Sequence, residues 1–138
     1  MIFVFLSIDE TASLHESLID PLRNTVHASG VLYYSWVIPY GFALLLFVVL
    51  YLRFLLDLPR TIMLLFIASG AIFVSGALGF EMLGGWYADR YGEVSVAYAM
   101  LYTCEETLEM TGISLFIYSL LKYIAQRFDN LRLAFYDE

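Results

Sequence analysis

At 138 residues the chain has the length of one domain, yet 61% of it is hydrophobic, against roughly 45–50% in ordinary soluble domains. A soluble fold this small cannot hide so much apolar surface, so lipid must solvate part of it. The net charge of −7 argues against nucleic acid as a partner and against a polybasic membrane-surface anchor, since both need clustered cations.

Four helical segments are expected in chain order. Segment A covers residues 2–20, is amphipathic, and is closed by Pro21. The chain opens inside a hydrophobic stretch, with no basic n-region and no small-residue cleavage site before Asp9-Glu10, so a signal peptide is not expected. Segment A is therefore expected either to be short or to lack an upstream part. Segment B, residues 36–56, is an apolar run interrupted only by Tyr40 and Tyr51 and long enough to span a bilayer. Pro39 lies near its start, where a missing N–H costs least. Segment C runs over 59–83 and ends at Gly84-Gly85; segment D runs over 94–125. The expected fold is all-α, a polytopic membrane bundle of about four helices forming one transmembrane domain over residues 1–138. Cys104 is the only cysteine, so no internal disulfide can form.

Basic residues set the orientation. Arg53, Arg60, Lys122, Arg127 and Arg132 fall on one side and only Arg23 and Arg90 on the other, which predicts a cytoplasmic C-terminus. Tyr33, Tyr34, Trp36, Trp86, Tyr87 and Tyr91 then form an aromatic belt at the outer face.

The informative residues are acids in the wrong solvent. Asp9, Glu10 and Glu16 lie on segment A, Glu81 on C, and Glu105, Glu106 and Glu109 on D. Ionisable groups inside a membrane cost several kcal/mol unless paired or hydrated, so they are expected to face the bundle interior. At about 100° per residue, Asp9, Ser13, Glu16 and Asp20 form one stripe, with His15 about 120° away. Tyr98, Tyr102, Glu105, Glu106, Glu109 and Gly112 share an arc on D, and Glu81 shares its face with Gly70, Ala77 and Gly84. Segment B offers no interior charge and reads as scaffold. Glu105 to Glu109 lie roughly 16–22 Å along segment D, a depth at which the three clusters can converge.

No Lys or Arg lies between Arg60 and Arg90 or between Arg90 and Lys122. That leaves protonation, water, a bound cation or a partner's basic group to stabilise these acids, which cannot all stay ionised side by side in a low dielectric. The metal version of this reading takes Glu105, Glu106, Glu109, Glu81, Glu10, Glu16 and His15 as candidate ligands for a divalent or redox ion (Fe, Mn or Zn). Di-iron bundles use Glu-x-x-His motifs, whereas this chain offers only Glu106-x-x-Glu109 and two histidines, His15 and His27. The bland reading places Asp9 and Glu10 in the first turn of a helix starting near Ser7, where negative charge is favoured.

Three motifs carry a resemblance: the stretch from Ser7 to Glu16, the stretch from Trp36 to Gly41, and the stretch from Cys104 to Gly112, with its Glu-Glu-x-x-Glu-Met-x-Gly pattern. The chain resembles a group of poorly characterised bacterial multi-pass membrane proteins that share a Ser-Ile/Leu-Asp-Glu-x4-His-Glu motif. The resemblance implies a bacterial inner or thylakoid-type membrane and groups the acids with His15, but it brings no established activity. The expected role is an accessory subunit of a larger membrane complex, with the lipid bilayer and other membrane subunits as partners and a carboxylate cluster that binds protons or a cation. The alternative is a stand-alone membrane metalloprotein with enzymatic or transport activity.

Overall fold

The computed structural model describes residues 2–128, and all their regular structure is helical. The first helix, α1 (Ile2–Ala12), stops where Ser13 enters the left-handed region at φ 47°. The amide of Leu14 then reaches back to the carbonyl of Asp9 at 3.1 Å, closing a Schellman-type C-cap. This corrects the expected segment over 2–20. The break falls at Ser13, not at Pro21, and a single 3₁₀ turn (Glu16–Leu18) leads into a separate helix, α2 (Ile19–Val26). Pro21 sits in the first turn of α2, where no helical N–H is needed. α2 ends on the same device, with His27 at φ 51° and the amide of Ala28 bonded to the carbonyl of Arg23. His27 is thus a capping residue, in keeping with its expected place in a loop.

The apolar run of segment B becomes α3 (Val37–Leu56). Phe42, Phe47, Val48, Leu50 and Leu52 point around a full turn, and all are exposed. Within α3 only Val37 is buried. A helix apolar on every side has no stable place in water, whereas acyl chains solvate it at no cost.

After Pro59 the chain forms α4 (Arg60–Tyr91), and after Ser95 it forms α5 (Val96–Arg127). The Ser95 side chain caps α5 by accepting the amide of Tyr98 at 3.1 Å. α3, α4 and α5 are each long and apolar enough to cross a membrane. The expected end of segment C at Gly84-Gly85 is corrected, because the helix continues to Tyr91. There glycine is a contact residue. A Cβ on Gly85 would lie 3.1 Å from the Tyr34 ring and 3.3 Å from Tyr33 Cβ. The 30–34 stretch docks in that space, fixed by the Gly30 amide donating to Asp89 Oδ2 at 2.8 Å.

α4 and α5 pack antiparallel along a seam of small residues. Ser69, Gly76, Gly112 and Ser119 are buried, and Phe66 meets Phe116 edge-on at 5.0 Å. Both seam serines return their hydroxyl protons to their own helix, Ser69 to the carbonyl of Phe66 and Ser119 to that of Leu115. Midway, α4 widens into a π-turn over Ser75–Phe80. The extra residue shifts the register of the helix. Gly70, expected on the face of Glu81, therefore looks into open space, and Ser69 and Gly76 occupy the contact face instead.

Candidate functional site

Two polar clusters flank Trp36, which ends the loop leading into α3. The first depends on the turn at Ser13, which folds the chain back so that His15 reaches Asp9. Asp9 is only 5% exposed. Its Oδ1 accepts the backbone amide of His15 at 3.0 Å and the hydroxyl of Tyr40 at 2.7 Å. Its Oδ2 lies 3.0 Å from His15 Nδ1. A carboxylate only accepts, so Nδ1 carries the proton in this pair, and the ring is held with Nε2 turned away from Asp9. Asp9 and His15 thus sit at ion-pair distance. The bland first-turn reading of Asp9 is corrected too. Asp9 lies near the C-terminal end of α1, and its side chain serves a tertiary contact.

The imidazole of His15 lies 4.8 Å from the Trp36 ring, which in turn sits 5.1 Å from Tyr40. The indole N–H points the other way and donates to Glu81 Oε1 at 2.8 Å. Trp36 is thus the wall between the two clusters and a donor to the second. Segment B, read as scaffold, supplies Tyr40 to the first cluster. The signal available in the sequence was the i, i+4 spacing of Trp36 and Tyr40, which puts both on one face. Trp36→Phe keeps a ring beside His15 but removes the donor. It is expected to lower stability by about 1–2 kcal/mol, measured by denaturant titration in detergent micelles.

The second cluster joins α4 to α5. Glu81 follows the π-turn directly, and its carboxyl lies close to that of Glu105 across the seam. Two carboxyls placed so close repel each other when both are ionised. Gly76 makes the approach possible, since a Cβ there would lie 2.8 Å from the Glu105 carbonyl oxygen and 3.1 Å from Glu109 Cγ. Glu105 and Glu109 are half-buried against this seam, whereas Glu106 is exposed. The arc expected on segment D is therefore divided between an inner and an outer face.

A third set lies toward the end of the helices. Tyr34 donates to Glu93 Oε1 at 2.8 Å, and its hydroxyl is 2.7 Å from that of Tyr98. Because Tyr34 has one proton and gives it to Glu93, Tyr98 is the donor to Tyr34. Burial, then the hydrogen bonds with Tyr98 and Glu93, hold the Tyr34 phenol well above the usual tyrosine range. Arg23 donates through Nε to the Tyr33 carbonyl at 3.0 Å and lies over the Tyr33 ring, while Arg90 lies over Trp86. The hydroxyl of Ser35 is fully buried with no hydrogen-bond partner. The expected aromatic belt is gathered at this end, but Trp36 is turned inward.

The remaining expected ligands are placed as follows. Glu16 is exposed and accepts the Ser13 hydroxyl at 3.0 Å. The side chain of Glu10 lies outside the described residues, as does Arg132. Among the described residues no group of three or more His, Cys, Asp or Glu side chains is placed to hold a metal ion. Among the described side chains, Asp9 and His15 meet Tyr40 and Trp36, and the Trp36 indole stands between them and Glu81.

No curated protein and no solved structure matches the chain. A family model does match residues 1–123, almost the full length described above, and its description is a domain of unknown function, DUF8692. The three motifs read from the sequence all fall within that stretch, and the chain belongs to this family, which carries no assigned activity.

Proposed function

We propose that this protein is a small integral membrane subunit whose Glu81–Glu105 pair holds a proton within the membrane-spanning part of a larger complex. One observation carries the reading: the carboxyls of Glu81 and Glu105 lie close together on neighbouring spanning helices, and the donor to Glu81 is the neutral indole of Trp36. Lys and Arg are absent from residues 61–89 and 91–121, so the proton is the cation this chain itself can bring to the pair. A shared proton between two acids in a low dielectric can be passed on, which suits a subunit that buffers or relays protons. The basic end, with Arg53, Arg60, Lys122 and Arg127, is assigned to the cytoplasm, in a bacterial inner or thylakoid-type membrane.

A carboxylate-bridged metal centre built on Glu105, Glu106, Glu109, Glu81, Glu10, Glu16 and His15 is the second reading. Glu106 faces away from Glu81, and His15 is committed to Asp9, so the proton reading is preferred. Infrared difference spectroscopy of the full chain in vesicles tests it. The C=O stretch of a protonated carboxyl is expected at neutral pH and should vanish in Glu105→Gln, with Trp36→Phe shifting its frequency. A wild-type spectrum without that band rules the shared proton out.

A further inference from the structure

The outer face of α5 sets one carboxyl, Glu106, among exposed threonines and apolar residues. Thr103, Glu106, Thr107, Met110 and Thr111 are all exposed, and at 100° per residue they cover an arc of about 140°. That arc is centred opposite Gly112, whose face packs on α4 through Phe73. The three threonines do not offer their hydroxyl protons outward. Thr103 donates to the carbonyl of Ala99 at 2.8 Å, Thr107 to that of Thr103 at 2.7 Å, and Thr111 to that of Thr107 at 2.7 Å. What faces outward is their lone pairs, and Glu106 adds a carboxyl beside them.

This stripe lies inside the span. Glu106 is roughly 15 Å along α5 from its Val96 end, and Lys122 is roughly 24 Å further on, at 1.5 Å per residue. Acyl chains have no donors for such a face. A second copy of the chain would bring another carboxyl and no cation to this depth. The required complement is a donor-rich cation at matched depth.

We infer that this face docks a transmembrane helix of another protein that carries a Lys or Arg at the depth of Glu106 and pairs with it. The inference rests on the subunit reading above and names the chemistry of the neighbour. An intramembrane carboxyl exposed on a span commonly marks such pairing. Here the cation has to come from outside the chain, because the spans of the chain contain none between their ends.

The test uses the full chain in phosphatidylcholine vesicles, labelled for energy transfer with two synthetic transmembrane peptides. One is all-leucine across the bilayer, and the other has a single Lys placed at the depth of Glu106. The Lys peptide is expected to associate roughly tenfold more tightly than the leucine peptide. Glu106→Gln should abolish that preference, while Glu109→Gln, on the inner side, should keep it. Circular dichroism confirms that both variants remain helical. Equal association of the two peptides overturns the inference, and so does a preference that survives Glu106→Gln. Self-association of the labelled chain that is lost in Glu106→Gln overturns it in favour of a second copy. The carboxyl band assigned to Glu81 and Glu105 is read separately, so either proposal can fail alone.

Discussion

Gly112→Leu is expected to separate α4 from α5 and to lower stability by about 3 kcal/mol or more. Even a methyl group has nowhere to go. A Cβ at position 112 would lie 2.7 Å from the backbone nitrogen of Phe73, 2.7 Å from its Cβ and 2.9 Å from its Cα. Backbone atoms cannot swing aside as the end of a flexible side chain can, so the helices themselves must move apart. That displacement strips the close contact at Gly76, the edge-on meeting of Phe66 and Phe116, and the approach of Glu81 to Glu105 together. Gly41→Leu and Gly70→Leu are the controls. A Cβ at either position meets nothing within 4 Å, and both variants should unfold at nearly the wild-type denaturant concentration. Denaturant titration in mixed micelles, followed by circular dichroism, measures all three. Equal stability of Gly112→Leu and the controls would remove the seam from the account of this fold.

Asp9→Ala carries the second-largest expected effect, a loss of about 3 kcal/mol from the attachment of the N-terminal segment. Its carboxylate gathers the His15 amide, the His15 ring and the Tyr40 hydroxyl, and it is almost wholly buried. Removing it strands three donors at once, and the cost exceeds that of any single bond because each stranded group has already left water. The effect should be local. α1 and the Ser13–His15 turn should lose hydrogen-exchange protection and become open to protease, while the amides of α4 and α5 keep theirs. Asp9→Asn should lie between the two, since an amide oxygen can still accept from Tyr40 or the His15 amide. Uniform loss of protection across all helices would show that Asp9 supports the whole assembly.

The long apolar elements were legible because lipid imposes a simple rule, length plus the absence of charge. α3 starts within one residue of the expected boundary, and α5 within two. Punctuation was harder to read. Pro21 looked like a stop, yet in the first turn of α2 it is a start, and Gly84-Gly85 looked like an end because nothing local announces that Tyr33 and Tyr34 will press against it. The acids on α4 and α5 were read as facing one another, and Glu81 and Glu105 do. The wheel could not separate Glu106 from its neighbours, since the direction of the partner helix is a tertiary fact. Tyr40 and Trp36 went unrecognised as site residues for a related reason. Their role depends on a left-handed Ser13, a conformation that serine rarely adopts and that no propensity foretells.

The π-turn of α4 works as a phase adjuster. An uninterrupted α-helix of the same composition would cross a bilayer equally well, but each residue added or removed rotates everything beyond it by about 100°. With one residue fewer between Gly76 and Glu81, the acid would sweep away from Glu105 and toward acyl chains, while hydropathy and length stayed unchanged. The residue count of this segment therefore matters as much as its chemistry, and single-residue deletions across Ser75–Phe80 should be less well tolerated than substitutions there.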